Sequence, residues 1–305
     1  MPETFFTAPP HWGWYIVTYF FVGGIAGGAF VISSLLALFG RAEDRPVVRL
    51  GHYVACAGAL MSGALLTVDL TRPDRVWHML VQSNTGLPML KLYSPMSVGA
   101  WGVMGFGALA TLAAAASIAE SRSGWWEKLA LLNRGAPQVA LAAAGSLAGF
   151  FLAGYTGVLL SVTNRPVWAD SNLVGLLFLL SAASSGAAAL LLLGKWAGTI
   201  SDFTRAWLGR FDRTALILEL AVLIILLATL GRAREIFAGA WGVLLLGGVI
   251  GAGIVAPLTL ERRKPALLTS ISPAVLVLAG SFLLRVVIVF AAQQVHVAGT
   301  EVVLP

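Results

Sequence analysis

Eight long stretches that are almost free of charged residues constrain the fold of this chain more than any other feature. They lie near 14–39, 50–69, 95–118, 136–162, 171–193, 214–230, 236–260 and 271–295. A helix needs about 20 apolar residues to cross a bilayer, because lipid offers no partner for an unpaired backbone amide or carbonyl. The pattern predicts an all-α, polytopic integral membrane protein with eight transmembrane helices in two four-helix groups.

Basic residues are distributed unevenly between the two sides of the predicted bundle. Loops on one side hold Arg41, Arg45, Arg49, Arg122, Lys128, Arg134, Lys195, Arg205, Arg210, Arg213, Arg262, Arg263 and Lys264. Loops on the other side hold only Arg72, Arg75, Lys91, Arg165, Arg232 and Arg234. Cytoplasmic loops carry the excess of Lys and Arg, so the richer side is predicted to be cytoplasmic and both termini to lie on the outer face. The basic residues therefore orient the protein and predict no nucleic-acid partner.

The composition excludes a soluble domain of this size, because only 11% of the 305 residues are charged and 58% are hydrophobic. We expect a single transmembrane domain, 1–305. It would comprise an outer N-terminal segment, 1–13, spans one to five in 14–193, and spans six to eight in 194–305. The outer segment 70–94 is too long for a simple turn. It is predicted to fold over the mouth of the bundle, against membrane lipid or a partner subunit.

Several glycines repeat at the spacing that lets two membrane helices approach closely. Span one contains Gly23, Gly24, Gly27 and Gly28, and the pairs Gly145/Gly149 and Gly247/Gly251 follow in later spans. We interpret these glycines as sites of tight packing within the chain. A dimer interface is the alternative.

Cysteine and histidine usage limits the metal chemistry open to the protein. The single cysteine, Cys56, excludes an intrachain disulfide, a Cys-ligated zinc site and an iron–sulfur cluster held by this chain alone. The four histidines, His11, His52, His78 and His296, do not fall at matching depths within neighbouring spans. We therefore predict no heme and no metal in this chain.

Polar side chains gather where several predicted spans reach the outer face. Tyr15 and Tyr19 are about one helical turn apart in span one, and Asp69 closes span two. Tyr155 lies roughly 10 Å from the outer end of span four. Phenols and a carboxylate at similar depth can hydrogen-bond the oxygens of a quinone head and exchange its protons. An interfacial aromatic belt is the alternative for Tyr15 and Tyr19, whereas Tyr155 lies deeper than such a belt.

The segment that follows span two, from Asp69 to His78, contains further charged residues. Asp69 is expected to pair with Arg72, because an unpaired carboxylate beside lipid is costly. A solvated loop with salt bridges is the alternative for Asp74 and Arg75. Histidine is the side chain best suited to exchange protons near neutral pH, so His78 is a candidate proton relay, with a structural hydrogen bond as the alternative.

Two charged residues, Glu219 and Arg285, fall inside predicted spans. Intramembrane charges are rare, which makes both residues candidates for proton transfer toward the cytoplasm. Pairing with each other for structural reasons is the alternative.

Five motifs of the sequence occur together in one known family. They are Gly-Gly-Ile-Ala-Gly-Gly in span one, Asp69-Leu70-Thr71-Arg72-Pro73, Ser94-Pro95-Met96-Ser97-Val98-Gly99-Ala100-Trp101, Tyr155-Thr156-Gly157-Val158-Leu159-Leu160-Ser161 with Arg165-Pro166-Val167-Trp168, and Ser181-Ala182-Ala183-Ser184-Ser185-Gly186. The combination resembles the NrfD/PsrC family, the membrane subunits of polysulfide-reductase-type complexes. The resemblance covers most of the sequence and is strongest in residues 14–190.

This resemblance implies a heme-free, eight-helix subunit of a respiratory oxidoreductase complex in a bacterial or archaeal cytoplasmic membrane. It would exchange electrons and protons between membrane quinol or quinone (menaquinone or ubiquinone) and a docked ferredoxin-like iron–sulfur subunit, with a molybdopterin catalytic subunit beyond. The quinone pocket would lie near the outer face among the first four helices, within 14–193, and Tyr155 matches its tyrosine. Where polysulfide reductase has an Asn and a His in its first helix, this chain has Tyr15 and Tyr19.

Each candidate residue then has an expected role. The residues expected to position the quinone head are Tyr15, Tyr19 and Tyr155. Those expected to carry protons are Asp69, His78, Glu219 and Arg285. Those expected to set local charge or dock the partner are Arg72, Arg75 and Arg165. Two rival functions remain open: a secondary transporter that uses Glu219 and Arg285 as coupling charges, and a structural anchor for an extracytoplasmic enzyme that does not touch quinone.

Overall fold

Eight long helices make up most of the protein in the computed structural model, which describes residues 12–124, 126–163, 165–260, 273–294, 296–298 and 301–303. They are α1 (Trp14–Phe39), α2 (Arg45–Asp69), α3 (Pro95–Ala119), α4 (Gly135–Ser161), α5 (Leu173–Trp196), α6 (Asp202–Thr229), α7 (Ala240–Leu260) and α8 (Pro273–Gln294). Seven of these described helices are long and apolar enough to cross a membrane. α6 supplies an eighth span when it is taken with Gly231–Ala238, which follows at a bend of 110°. The predicted all-α polytopic fold is confirmed.

Shorter elements connect the spans. The 3₁₀ helices are Ala42–Asp44, Pro73–Met79, Leu131–Asn133 and Gly231–Ala238, and a short α-helix covers Trp126–Ala130. The middle of α7, Leu244–Val255, is wound as a π-helix. After α8, the strands β1 (His296–Ala298) and β2 (Glu301–Val303) pair antiparallel, an addition to the predicted helices. Most of the predicted N-terminal segment 1–13, including His11, lies outside the described residues, as do 271, 272 and 295 of predicted span eight.

The start of α6 differs from the sequence-based prediction, which placed span six at 214–230. The helix begins at Asp202, where Ser201 caps it by accepting a hydrogen bond from the backbone amide of Thr204 at 3.1 Å. Its first three turns are charged on one side, yet Thr204 and Leu208 are buried one turn apart. Hydropathy locates the membrane-crossing part of a helix, whereas the cap and the buried stripe determine where the helix begins.

The helices form two groups that share a central boundary. α1, α2, α3 and α4 pack together, and α5, α6, α7 and α8 pack together, as the predicted division into two four-helix groups requires. α1 contacts α2 and α4 of its own group and also α5 and α8 of the other group. It therefore lies at the centre of the bundle, and about two-thirds of the residues in its most apolar stretch are buried inside the protein.

Successive helices run in opposite directions, so the bundle has two chemically different ends. One end, called the tyrosine end because Tyr19 and Tyr155 lie there, holds the helix termini Trp14, Asp69, Pro95 and Ser161. The other end, called the arginine end, holds the helix termini Phe39, Arg45, Ala119 and Gly135. A cavity lies between the first four helices at each of the two ends.

The glycines of α1 allow it to pack closely against two helices, α4 and α5. A Cβ added to Gly27 would lie 2.6 Å from the carbonyl oxygen of Gly149 on α4. A Cβ added to Gly28 would collide with the carbonyl oxygen of Ala182 on α5. Gly247 on α7, by contrast, has nothing within 4 Å of its added Cβ. Tight packing within the protein is thus confirmed for the glycines of α1 and for Gly149, but Gly247 plays no part in it.

Replacing Gly28 with valine is expected to destabilise the protein by about 1–3 kcal/mol or more, because the branched side chain would force α1 away from the backbone of α5. The melting temperature of the detergent-purified protein measures the effect. Gly247→Val is the matched control, since it adds the same atoms at an exposed site of α7. Equal melting temperatures for the two variants would contradict close packing at Gly28.

Candidate functional site

A cavity of about 270 Å³ lies at the tyrosine end, between the first four helices. Its polar side chains include Tyr19 of α1, Asp69 of α2 and Tyr155 of α4. The walls are otherwise mainly apolar, and Val76, Leu80 and neighbouring residues of the segment after α2 close one side. The structure thus brings three of the predicted site residues together, beneath part of the segment that was predicted to fold over the bundle.

Tyr19 is fixed in the cavity wall by the packing of α1. It is 2% exposed, and its ring lies beside that of Phe20 at a centroid distance of 5.5 Å. Ile16, about one helical turn earlier, lines the same cavity, as the geometry of a helix face requires. The Tyr19 hydroxyl makes no hydrogen bond to any described residue. It is therefore available both to donate and to accept a hydrogen bond.

Tyr155 differs from Tyr19 because its proton already has an acceptor. Its hydroxyl donates to the carbonyl oxygen of Pro95, at the start of α3, over 2.6 Å. Its ring stacks on Phe151 at 5.1 Å, and Gly99 of α3 leaves the space that the phenol occupies. The tyrosine thus links α3 to α4 and offers a ligand the lone pairs of its oxygen.

Asp69 is the last residue of α2, and its side chain is largely exposed. Leu70 has an extended backbone (ψ 134°) and Arg72 another non-helical conformation (φ −130°), so the backbone turns away from the helix at once. The predicted ion pair between Asp69 and Arg72 is consequently wrong: the described residues contain no such contact within 4.0 Å. A three-residue spacing brings two side chains together only while the helix continues.

The remaining outer residues do not line the cavity. Tyr15 is 50% exposed at the start of α1. His78 is half-buried, with its ring against Trp77 at 3.8 Å. Arg72 is exposed, and Arg75 makes only a 3.9 Å contact with its neighbour Asp74. These side chains lie on the surface of the tyrosine end, beside the cavity.

The sequence analysis missed the contribution of α3 to the cavity. Met96, Ala100 and Val103 line it at the spacing of one helix face. Met104 also lines it. Met104 is 41% exposed and Met96 is 59% exposed, so the cavity reaches the exposed side of α3. The sequence signal that would have identified them is their recurrence every three or four residues after Ser94.

The segment after α2 is fastened to α3 by side-chain hydrogen bonds. The indole Nε1 of Trp101 donates to the carbonyl oxygen of Met89 at 3.0 Å. The hydroxyl of Ser97 accepts from the backbone amide of Lys91 at 3.1 Å. Both residues belong to the motif 94–101 at the start of α3, and they hold the covering segment in place over the bundle.

Arg165 lies inside the protein, between α4 and α5. It is 6% exposed, and its Nη1 donates to the carbonyl oxygen of Gln293 at 3.2 Å. Burial lowers the pKa of its guanidinium from the ordinary value. Gln293 in turn bonds the backbone of Trp12 at 3.0 and 3.2 Å. Arg165 therefore ties the α4–α5 connection to the end of α8, and its expected role in setting local charge or docking a partner stays a prediction.

Glu219 and Arg285 are both buried, at 2% and 0% exposure, in the second helix group. Glu219 accepts a hydrogen bond from Ser184 at 3.2 Å. Arg285 donates to Ser181 at 3.2 Å and to Ser281 at 2.6 Å. No nitrogen of Arg285 lies within 4.0 Å of a Glu219 oxygen, so serines of α5 connect the two charges indirectly.

The arginine also binds the central helix. Its Nε donates to the carbonyl oxygen of Phe20 on α1 at 3.0 Å. The backbone carbonyl of Phe20 contacts the charged network, whereas the side chain of its neighbour Tyr19 lines the cavity. α1 therefore separates the cavity from the buried charges, and neither Glu219 nor Arg285 lines the cavity.

Metal ligands are not grouped in the part of the protein that the structure describes. No three His, Cys, Asp or Glu side chains converge there in a way that could hold a metal ion. The absence of heme and metal from this protein stays a prediction.

Comparison with known proteins gives a consistent picture over nearly the whole sequence. Residues 3–298 match the family described as "Polysulphide reductase, NrfD". A component of the polysulfide reductase of Wolinella succinogenes is 26% identical over 317 aligned positions, which cover 92% of this chain and 94% of that protein. Protein NrfD of Escherichia coli is 27% identical, covering 92% of this chain and 95% of that protein. A subunit of the selenate reductase of Mesobacillus selenatarsenatis is 33% identical over 76 residues, or 25% of this chain and 18% of that protein.

Proposed function

The chain belongs to the NrfD, polysulphide reductase, family, and on that basis we propose that it is the quinone-reactive membrane subunit of an oxidoreductase complex. Oxidation of a membrane quinol to quinone releases two electrons, which pass to a docked ferredoxin-like iron–sulfur subunit, and two protons, which pass through Asp69 to water at the outer face. Reduction of quinone reverses both transfers. The names of its relatives support the complex, because they include components of a polysulfide reductase and of a selenate reductase. A molybdopterin catalytic subunit would complete the assembly.

The observation that carries the proposal is the cavity that combines Tyr19, Asp69 and Tyr155. At about 270 Å³ it approaches the lower limit of ordinary ligand pockets, which is roughly 300 Å³. Its apolar walls suit a ring that partitions into lipid, and its few polar groups suit the two ring oxygens. The side chains bind the quinone and exchange its protons, and they are not themselves oxidised or reduced.

The three polar residues have different capacities, and these define their proposed roles. Tyr19 donates a hydrogen bond to a quinone oxygen, because its hydroxyl has no other partner among the described residues. Tyr155 accepts a hydrogen bond from a quinol hydroxyl, because its own hydroxyl already donates to the carbonyl oxygen of Pro95. Asp69 takes up a quinol proton or returns one to the quinone. Its position at the negative end of the α2 dipole disfavours a lasting negative charge there.

The orientation of the protein is part of the proposal. The excess of Lys and Arg at the arginine end supports a cytoplasmic position for that end. The tyrosine end and both termini then face the outside, where Arg72 and Arg75 are exposed and free to meet an acidic face of the iron–sulfur subunit. His78 and Tyr15 lie beside the cavity and would extend the proton path or contact the quinone tail.

Binding of a quinone analogue to the purified complex tests the proposal. Tyr19→Phe is expected to weaken binding about three- to tenfold, because one buried hydrogen bond contributes about 0.5–1.5 kcal/mol. Tyr93→Phe is the matched control, since Tyr93 is 82% exposed and lies outside the cavity. Unchanged affinity in Tyr19→Phe would remove that hydroxyl from the site, and no binding at all in the unmodified complex would favour a structural anchor.

Proton transfer through Glu219 and Arg285 is a separate proposal, as is their use by a transporter. Neither residue reaches the cavity, and serines hold both charges within the second helix group. Glu219→Gln preserves the shape of the side chain. Vesicles containing this variant are assayed for quinol-dependent turnover and for proton uptake. Normal values of both would exclude Glu219 from proton transfer and from transport.

A further inference from the structure

A second cavity, also of about 270 Å³, lies at the arginine end and shares no lining residue with the first. It is enclosed by the last turn of α1, the first turns of α2, the end of α3 and the start of α4. Its polar lining includes Arg41, Arg45, Arg49, His52, Glu120, Asn133 and Gln138. Its apolar lining includes Phe30, Leu36, Leu132 and Leu141. A cavity with one strongly basic wall and one apolar wall is suited to an amphipathic anion.

The basic wall has more positive than negative charge. Glu120, whose side chain is 8% exposed, binds Arg45 at 3.0 Å and Arg49 at 2.7 Å. One carboxylate neutralises only one of the two guanidinium groups, so the trio keeps a net positive charge. The side chains of Arg45 and Arg49 remain 47% and 42% exposed, which leaves both accessible to a ligand.

The guanidinium groups are also held in position with unused donors. Arg45 contacts Glu120 through Nη1 alone, and Arg49 through Nε and Nη2. The other nitrogens, Nε and Nη2 of Arg45 and Nη1 of Arg49, have no acceptor among the described residues. Asn133 donates to Glu120 as well, at 3.0 Å, and so holds the carboxylate that orients both arginines.

Arg41 adds a third cation at the rim. Its guanidinium lies over the ring of Phe203, 3.8 Å from the centroid. Its contact with Glu43 is 3.6 Å long and exposed, so solvent screens it. Deeper in the cavity, His52 binds Ser117 through Nδ1 at 2.8 Å, and its Nε2 has no partner among the described residues.

We propose that the arginine-end cavity binds the headgroup phosphate of an anionic phospholipid. The free guanidinium donors meet the phosphate oxygens, since guanidinium groups bind phosphate with charge-assisted hydrogen bonds. The start of an acyl chain lies along Leu36 and Leu141. A lipid fits better than free phosphate, because the cavity is lined by the ends of membrane-spanning helices and about half of its lining is apolar, which is of no use to a small polar ion.

The test is binding of defined lipids to the delipidated complex in a neutral detergent. The probes are dioleoylphosphatidylglycerol, dioleoylphosphatidylcholine and inorganic phosphate, each followed by its effect on the melting temperature. We expect the phosphatidylglycerol to raise the melting temperature at concentrations where the other two have no effect. An equal effect of phosphatidylcholine would overturn the proposal, because apolar contact alone would then explain binding. An equal effect of inorganic phosphate would overturn the lipid as the occupant.

Arg45→Gln is the sharpest variant, because it removes the surplus charge and leaves Glu120 paired with Arg49. It is expected to weaken phosphatidylglycerol binding about tenfold. Arg205→Gln is the matched control: Arg205 is 55% exposed and lies outside the cavity. Equal loss in both variants would contradict a defined site. The comparison of lipids on the unmodified protein decides the question even if Arg45→Gln does not assemble.

Discussion

Replacing Asp69 with asparagine is expected to lower quinol-dependent turnover of the complex by about 10²- to 10⁴-fold, the usual contribution of a positioned acid or base. Asparagine matches the aspartate in shape and fills the same corner of the cavity at the end of α2. It cannot take up or release a proton under these conditions. Turnover is measured on the purified complex from the absorbance of the quinone, and assembly from the yield of intact complex.

Two further variants sharpen this test. Asp69→Glu keeps a titratable carboxylate and is expected to recover part of the lost rate. Asp74→Asn removes a carboxylate from the same segment, but that side chain is 74% exposed and lies outside the cavity, so turnover should be unchanged. Normal turnover in Asp69→Asn would remove Asp69 from the mechanism, and an equal loss in Asp74→Asn would point to surface charge instead.

Replacing Arg285 with leucine is expected to destabilise the folded protein by about 3–5 kcal/mol, as removal of one member of a buried charged pair does. The change removes the guanidinium hydrogen bonds to the Phe20 carbonyl and to the hydroxyls of Ser181 and Ser281. It also leaves Glu219 buried without the cation that balances its charge. Unfolding of the detergent-purified protein by heat or denaturant measures the loss.

The double variant Arg285→Leu with Glu219→Gln separates charge balance from packing. Glutamine keeps an acceptor for Ser184 and removes the unbalanced charge, so the double variant should be more stable than Arg285→Leu alone. If the stability losses of the two single variants simply add in the double variant, the two residues act independently and the serine-linked network has no electrostatic coupling. Glu219→Gln alone supplies the fourth corner of the cycle.

Much of the fold was predictable because lipid imposes a simple rule on the backbone. Seven of the eight spans follow from hydropathy to within a few residues. The close packing of α1 follows from its repeated glycines, and the predicted division into two helix groups agrees with the helix contacts. The charged start of α6 at Asp202 and the π-helical winding of Leu244–Val255 did not follow, since they depend on a cap and on local packing that hydropathy does not detect.

The depth of the candidate site residues along their helices was predictable, but the rotation of each helix about its own axis was not. Counting residues from the helix ends places Tyr19, Asp69 and Tyr155 at one level, and the structure puts all three in one cavity. Tyr15 shares that level yet does not line the cavity, because the tilt and rotation of α1 place Ile16 there instead. Contacts made by the end of a helix, such as the expected Asp69–Arg72 pair, depend on cap geometry that spacing alone does not predict.

The exposed position of Met96 and Met104 has a consequence for how ligand affinity is expressed. A quinone bound there as proposed would exchange with the bilayer and not with bulk water, because the cavity reaches the exposed side of the membrane-spanning helix α3. The concentration that governs occupancy is then the mole fraction of quinone among the lipids. Analogues with long and short isoprenoid tails should differ widely in apparent aqueous affinity, and should converge once their amounts are expressed per lipid.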